Sequence, residues 1–229
     1  MAKDTESAPA ARSRAKTSKR TNDPERTTAA ILAAATHEFA AKGLAGARIE
    51  AIADATHTRK FMIYYYFQNK EALYLAVLEN AYRDIRTAEA SLNLLDMDPL
   101  DALRTMVTFS FDYHESHPEF VRLVMAENMN NGEYLRQSKV IRELNASVMK
   151  DVKTVYQRGV EMGLFRPGID PVDIHTTISA LSFHHVSNRP TFALIFGASA
   201  SSKRIATRRK SVLETVMRYV TAPGSSADA

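Results

Sequence analysis

The chain has 229 residues, of which 45% are hydrophobic and 24% are charged, as is ordinary for a globular protein. It contains no cysteine, which excludes disulfides, thiolate metal sites and cysteine nucleophiles and suits a reducing compartment. No stretch approaches the roughly 20 consecutive apolar residues of a membrane-spanning helix, and the N-terminus lacks the apolar core of a secretory signal. We therefore expect a soluble, cytoplasmic protein.

Positive charge is concentrated in the first third of the chain. The formal net charge is +4, but residues 1 to 70 hold twelve Lys and Arg against seven Asp and Glu, a net of +5, and the remainder holds eighteen against nineteen. A small nucleic-acid-binding module joined to a neutral domain shows this asymmetry. A merely basic tail explains it equally well.

The first 22 residues are polar and have no hydrophobic period, which predicts a disordered tail. The tail either binds DNA phosphates electrostatically or only improves solubility. Its cations are Arg12, Arg14, Lys16, Lys19 and Arg20.

Beyond the tail, the pattern is typical of helices separated by short breakers, because no run alternates β-branched and polar residues. Three Asp-Pro pairs each combine an N-cap carboxylate with a proline suited to the first helical position. They predict helix starts at Asp23-Pro24, Asp98-Pro99 and Asp170-Pro171. The class is all-α.

The first third contains four predicted helices. The first covers residues 24 to about 42 and ends at Gly43, which accepts the left-handed conformation of a helix C-terminus. A short second helix surrounds Ile52, and a third begins near Arg59. Asn69 is a good N-cap for a long fourth helix.

The remaining two thirds contain about five more predicted helices. The helix from Pro99 is apolar on two faces, which indicates burial in the middle of a bundle. It breaks at residues 116 to 118, and after a further short helix a long one is predicted over about 133 to 162. The last two are predicted over about 171 to 187 and 203 to 220. The sequence pattern does not indicate a conformation for the segment between the last two helices.

The most informative segment is residues 49 to 77, which is typical of a helix, a tight turn, a second helix and the start of a long helix. Ile52 and Ala53 with Ile63 and Phe67 would form the small core that fixes two helices across the turn.

The other face of the third predicted helix, which begins near Arg59, combines cations, phenols and apolar groups. This combination suits the reading of bases in the major groove beside phosphates. Flanking cations at the starts of the neighbouring helices would meet phosphates. An amphipathic helix with a merely solvated face is the alternative. The predicted DNA contacts are Arg48, Thr58, Arg59, Lys60, Phe61, Met62, Tyr64, Tyr65 and Lys70.

The run IEAIADATHTRKFMIYYYFQNKEALYLAVL resembles the DNA-binding segment of TetR/AcrR-type repressors, with the match extending from about Ile31 to Leu78. YYYF followed two residues later by KEAL is quite specific to that family. The resemblance implies an all-helical homodimer with DNA contacts from the third helix and a C-terminal ligand pocket coupled to the spacing of the two DNA-reading heads. Residues 163 to 174 (GLFRPGIDPVDI) resemble the turn before the penultimate helix in many members of the family. The final helices, including the run SNRPTFALIFG, resemble the dimerisation half of a subgroup that includes a regulator of pyrimidine catabolism.

The chain departs from the family pattern around the turn. His57 stands where the family usually has Gly, and Arg59 stands where it has a small polar cap. Histidine tolerates a positive φ better than most residues, so we expect the turn to form at a modest cost. Phe61 and Met62 replace the usual small residues next to DNA, so the recognised sequence is expected to be unusual.

The expected architecture is thus a tail (1 to 22), a helix-turn-helix DNA-binding head (23 to 68), a larger helical-bundle domain for ligand binding and dimerisation (69 to 221) and a flexible C-terminus (222 to 229), with about nine helices in all. Aromatic, methionine and a few polar side chains either line a ligand cavity or pack the core. The candidates are Phe109, Tyr113, Met125, Asn128, Met129, Tyr156, Phe183 and His184.

For dimerisation, the last long helices would form a four-helix interface with a second copy, with intramolecular packing as the alternative. The candidates are Ile174, Ile178, Leu181, Leu213, Val216, Met217 and Val220.

No cofactor or metal is expected. His184 and His185 are adjacent and point about 100° apart on a helix, and no carboxylate sits at a matching spacing to join them and His175. Glycine-rich phosphate loops, nucleophile elbows and HExxH patterns are missing from the sequence, so we expect no enzyme.

The sequence therefore predicts a repressor that a small molecule releases from a palindromic double-stranded operator. An activator, a DNA-binding protein without a ligand, and a helical enzyme or adaptor with a basic tail are the alternatives.

Overall fold

The structure is a computed structural model and describes residues 23 to 197 and 201 to 224. Those residues form ten α-helices and no named strand. The helices are α1 (Pro24–Gly46), α2 (Ile49–Ala55), α3 (Lys60–Phe67), α4 (Lys70–Ala90), α5 (Pro99–Ser116), α6 (Pro118–Met129), α7 (Lys139–Glu161), α8 (Pro171–Ser187), α9 (Arg189–Phe196) and α10 (Ser202–Val220), with single 3-10 turns at Leu94–Asp96 and Leu135–Gln137.

The all-α class is confirmed. The predicted basic tail and the last five residues of the predicted flexible C-terminus lie outside the described residues. In the two described ranges, no helix is long and apolar enough to cross a membrane.

The three helix starts predicted from Asp-Pro pairs are confirmed. Asp23 accepts hydrogen bonds from two backbone N–H groups at 3.1 and 3.2 Å, and Asp98 and Asp170 each accept one, at 2.9 and 2.8 Å. In each case the proline occupies the start of the helix, where its missing N–H removes no bond. The predicted N-cap Asn69 accepts from the N–H of Ala72 at 2.7 Å.

Two helical boundaries differ from the prediction, and one helix was not predicted. Gly43 adopts the expected positive φ of 66°, but the chain resumes a helical turn behind it and α1 runs to Gly46. The long helix expected from residue 133 begins only at Lys139, because a 3-10 turn precedes it and Ser138 caps it by accepting from the N–H of Ile141 at 3.1 Å. The segment before the last helix contains the additional helix α9.

Two main hydrophobic cores hold these helices together. The first joins α1, α2 and α3 to the N-terminal half of α4, with one residue each from α6 and α7. The second joins α5, α7, α8 and α10. Residues that are almost fully buried in the first core are Ile31, Ala35, Phe39, Ile52, Ile63, Leu73, Tyr74, Val77, Leu78 and Leu123.

Candidate nucleic-acid interface and ligand cavity

The turn between α2 and α3 is fixed by backbone hydrogen bonds. The N–H of Thr58 donates to the carbonyl of Ala53 at 2.9 Å, and the N–H of His57 donates to Asp54 at 3.2 Å. His57 adopts a φ of 50°, as expected from its place in the turn. Arg59 occupies the N-cap position of α3 and makes no side-chain capping bond, so its exposed side chain is available to another partner.

One face of α3 is buried and the other points away from the head. Ile63 is fully buried and Phe67 is half-buried in the first core, which confirms their predicted packing with α2. On the opposite face, Phe61, Tyr64 and Tyr65 are 60%, 37% and 73% exposed. These three residues have the spacing of one helix face, so they form a continuous aromatic surface.

Met62, which was predicted to be exposed, is half-buried. Its position beside the packed face of α3 leaves it less surface for an external contact than Phe61 or Tyr65 has.

Lys60 forms an ion pair that could not be expected from the sequence pattern. Its ammonium donates to the carboxylate of Glu50 on α2, and it also lies 5.8 Å from the centre of the Tyr64 ring. The hydrogen bond lowers the pKa of Glu50 and raises the pKa of Lys60. The charge of Lys60 is therefore largely neutralised within the head.

The two flanking cations hold different positions. Arg48 precedes α2; its backbone N–H donates to Glu38 at 3.0 Å and its side chain is exposed. Lys70 begins α4 and its ammonium donates to the carbonyl of Ala45 at 3.3 Å. Arg48, Arg59 and Lys70 form no ion pair with a carboxylate among the described residues, although Arg48 lies near enough to Glu38 and Glu50 to lower the pKa of both. We refer to these three residues as the uncompensated cations around α3.

A cavity of about 340 Å³ lies in the bundle between α4, α5, α7 and α8. Its walls are mostly apolar, and a few polar groups reach them, which is the usual composition of a small-molecule site. The apolar walls are Leu92, Leu94, Met106, Phe109, Leu144, Val148, Val152 and Ile178.

The most polar wall of this cavity comes from α4. Arg86 donates through Nη1 to the Oε2 of Glu89, three residues along the helix, and both side chains are largely buried. Burial raises the pKa of Glu89, although Arg86 opposes the shift. Burial lowers the pKa of His175, which faces the same cavity from α8.

Of the predicted ligand residues, only Phe109 lines this cavity. Tyr113 lines a separate open cleft between α1 and the bundle, and Tyr156 has a structural role because its hydroxyl donates to Arg166 at 2.8 Å and accepts from Ile169 at 2.9 Å.

The other predicted ligand residues also lie away from the cavity. Phe183 packs against His114 at 5.8 Å between ring centres. The side chains of Met125, Asn128, Met129 and His184 are exposed on the surface. None of these residues lines the cavity, because an apolar stripe cannot be divided into core and cavity without tertiary contacts, and their role in ligand binding remains a prediction.

The predicted dimer residues fall into two groups by their burial. Five of them are buried in the core of their own protomer, which removes their side chains from contact with a second copy: Ile174, Ile178, Val216, Met217 and Val220. Leu181 and Leu213 are half-buried. Sequence periodicity identified the apolar faces correctly but could not tell which partner covers each face.

Arg86 and Glu50 were missed by the sequence reasoning. Arg86 and Glu89 have the spacing of an ordinary surface ion pair on a helix, and nothing in the pattern distinguishes a buried pair from an exposed one. Glu50 and Lys60 are ten residues apart on different helices, so only the assembled turn brings them together.

The short helices α2 and α3, joined by a tight turn, with an exposed aromatic and cationic face on α3, define a helix-turn-helix DNA-binding protein. Residues 31 to 77 match the family model for bacterial regulatory proteins of the tetR family, and residues 99 to 216 match the tetracyclin repressor-like C-terminal domain. The chain therefore belongs to the TetR family of transcriptional regulators, and the expectation that it is not an enzyme is confirmed by this membership.

The chain is similar to two curated regulators and to a solved structure. It is 36% identical over 189 residues to the HTH-type transcriptional repressor NicS of Pseudomonas putida, covering 82% of this chain and 89% of that one. It is 32% identical over 171 residues to the regulator RutR of Escherichia coli K12, covering 74% and 78%. The structure of the transcriptional regulator SCO4942 of Streptomyces coelicolor superposes with a TM-score of 0.65 at 26% identity, covering 85% of this chain and 98% of that one.

Proposed function

We propose that the chain is a homodimeric repressor that a small molecule bound in the 340 Å³ cavity releases from its operator. The observation that carries the proposal is the position of α4. Its first residues follow the recognition helix α3 after a two-residue gap, and its last turns form a wall of the cavity through Arg86, Glu89 and Ala90. One rigid element therefore contacts both the DNA-reading helix and the cavity.

The dimensions of α4 make this link effective. From Lys70 to Arg86 the helix rises about 24 Å, because an α-helix rises about 1.5 Å per residue. A tilt of about 5° at the cavity end then moves the other end by about 2 Å, which exceeds the tolerance of a hydrogen bond to a base edge. A ligand needs only about 1–3 kcal/mol of preference for the tilted state to weaken operator binding roughly 5–150-fold.

The DNA contacts proposed for each head are those of the exposed face of α3 and its flanking cations. Tyr64 and Tyr65 would donate hydrogen bonds to bases or phosphates, and Phe61 would meet an apolar base edge such as a thymine methyl. Arg48 and Lys70 would bind phosphates on either side. Two heads would then read successive major grooves about 34–36 Å apart on a roughly palindromic operator.

The second copy is proposed to cover the apolar surface around α9. Leu194 and Ile195 are 86% and 70% exposed, and Phe192 and Phe196 are exposed beside them. A contiguous apolar patch of this kind is unusual on a monomer. Phe192 of the patch packs against His184 of α8 with 5.2 Å between ring centres. The proposed interface therefore combines α9 with the outer face of α8, and we propose that it extends to the half-buried Leu181 and Leu213.

The test is binding of the purified chain to a fluorescent fragment of its own upstream DNA across a salt series. Three uncompensated cations in each head give six phosphate contacts for a dimer and a slope of log K against log [salt] of about −5. Replacing Tyr64 by Ala should weaken operator binding about tenfold without changing the slope, because a phenol carries no charge.

Replacing Lys153, an exposed residue of α7, by Ala is the matched control and should change neither quantity. Sequence-blind binding, or an unchanged affinity in the Tyr64 variant, would remove α3 from the role proposed for it.

Dimerisation is tested by light scattering on the Ile195→Glu variant. A carboxylate in the centre of the apolar patch should convert the dimer into a monomer, since an unpaired charge in a buried interface is costly. Glu143→Gln, a change at an exposed residue of α7 away from the proposed interface, is the control. A dimer that persists in the Ile195 variant would place the interface elsewhere.

A further inference from the structure

The ion pair in the cavity leaves one edge of its arginine unused. Glu89 accepts a hydrogen bond only from the Nη1 of Arg86. The Nε of Arg86 is buried and has no acceptor within hydrogen-bonding distance among the described residues. A buried N–H without a partner is unfavourable, so a ligand acceptor that enters the cavity and displaces the atoms covering this group would satisfy it.

The free edge has a specific shape. A guanidinium presents its Nε–H and one Nη–H as two parallel donors, and a carboxylate matches that fork with its two oxygens. A neutral amide or a ring carbonyl can satisfy only one of the two donors. The geometry therefore favours a carboxylate over a neutral acceptor.

The rest of the cavity sets the size and polarity of the ligand. At about 30 Å³ for a water-sized group, 340 Å³ holds on the order of ten such groups. The walls beyond Arg86 are largely apolar, and α5 contributes Phe109 and Met106 to them. Ser110 and His175 add polar atoms to the lining, His175 lies close enough to Arg86 for its charge to lower the histidine pKa, and Asp151 lies close to Glu89.

The acidic groups do not prevent the entry of an anion. Asp151 is only half-buried, so solvent screens it. Burial and Asp151 already raise the pKa of Glu89. A ligand carboxylate bound to Arg86 would raise the pKa of Glu89 further. A proton taken up by Glu89 would then keep the net charge of the cavity close to zero.

We infer that the effector of this regulator is a small monocarboxylate with an apolar body of about ring size, whose carboxylate binds the Nε edge of Arg86. The inference rests on the proposed function, because it names the ligand class of the same cavity.

The test uses the full chain and two pairs of probes, benzoate with benzamide and hexanoate with hexanamide. Each pair differs in charge and hardly in shape. A carboxylate that binds should raise the thermal midpoint by about 2–4 °C at roughly five times its Kd, whereas its amide should leave the midpoint unchanged. Equal shifts from acid and amide, or no shift from either acid, would overturn the inference.

Three variants assign the effect to Arg86. Arg86→Met combined with Glu89→Gln removes both charges together, so no carboxylate is left buried alone, and it should lose the shift with benzoate or hexanoate. Glu89→Gln by itself keeps the arginine and should retain the shift. Arg83→Met changes an exposed arginine on the same helix and should also retain it. A double variant that remains folded by circular dichroism and still responds to the acid would refute the role of Arg86.

Operator release, measured in parallel, separates this inference from the proposed function. If a carboxylate stabilises the protein through Arg86 but leaves the operator bound, ligand-released repression is wrong and the ligand class stands. If a neutral compound releases the operator equally well in the wild type and the double variant, the repressor stands and the carboxylate inference is wrong.

Discussion

Glu50 neutralises a lysine on the face that we propose binds DNA, and its removal gives a quantitative test of that face. In the Glu50→Gln variant the ammonium of Lys60 loses its carboxylate partner and becomes available to a phosphate. The head then carries one additional uncompensated positive charge, which is two for a dimer. We expect operator binding to become tighter and more dependent on salt.

The magnitude follows from counterion release. Each phosphate contact changes the slope of log K against log [salt] by about 0.9, so two contacts make the slope steeper by about 1.8. If the variant and the wild type bind equally well at 1 M salt, this additional slope of about 1.8 makes the variant bind roughly 30-fold more tightly at 0.15 M salt. The thermal midpoint of the free protein should hardly change, because both side chains are about half exposed.

The assay is fluorescence anisotropy with the operator fragment at several salt concentrations. Lys60→Ala should act in the opposite direction, with a shallower slope, because it leaves Glu50 facing the phosphates. The double variant Lys60→Ala with Glu50→Gln removes both charges and should return the slope close to that of the wild type. An affinity and slope that do not change in Glu50→Gln would show that Lys60 lies away from the DNA backbone.

Three further predictions concern stability. A Cβ at Gly159 would lie 2.0 Å from the ring of the buried Phe165. Gly159→Ala should therefore lower the free energy of unfolding, measured by urea titration, by about 1–3 kcal/mol, or by more if the ring cannot move. An unchanged urea midpoint would contradict this packing. His57→Gly should raise stability by up to about 1 kcal/mol, since glycine adopts a φ of 50° without steric cost; a large loss would instead indicate that the imidazole makes a needed contact. Burial lowers the pKa of His114 from 6.5 to about 4, so the unfolded chain binds a proton that the folded chain does not between these values and stability falls as pH drops through this window. The loss between pH 7.5 and 5 should be about 2 kcal/mol smaller in His114→Phe than in the wild type, and an equal loss in both would mean that this histidine is not responsible.

Much of the fold could be predicted because its signals are local. The Asp-Pro pairs and Asn69 determine helix starts through bonds to residues two or three positions away. The packing of Ile63 against α2 follows from a four-residue period and a short turn. The same locality explains why the positive φ of His57 could be expected.

The cavity could not be predicted, because its walls come from four helices that are distant in the sequence. A helix such as α5 is apolar on two faces, and nothing in its sequence shows which residue meets a neighbour and which meets empty space. The buried pair of Arg86 and Glu89 has the same pattern as an exposed pair. The helix α9 escaped prediction because its eight residues are too few to show a helical period.

The first hydrophobic core crosses the predicted boundary between head and bundle at residue 68. Leu73, Tyr74 and Val77 of α4 complete it, and Leu123 of α6 closes it from the far side. A fragment cut at that boundary would present an open apolar surface to water and should aggregate. Exchange of DNA-reading heads between related regulators, in evolution or in the building of biosensors, therefore has to carry the first half of α4 with the head and match the side chains that α6 supplies.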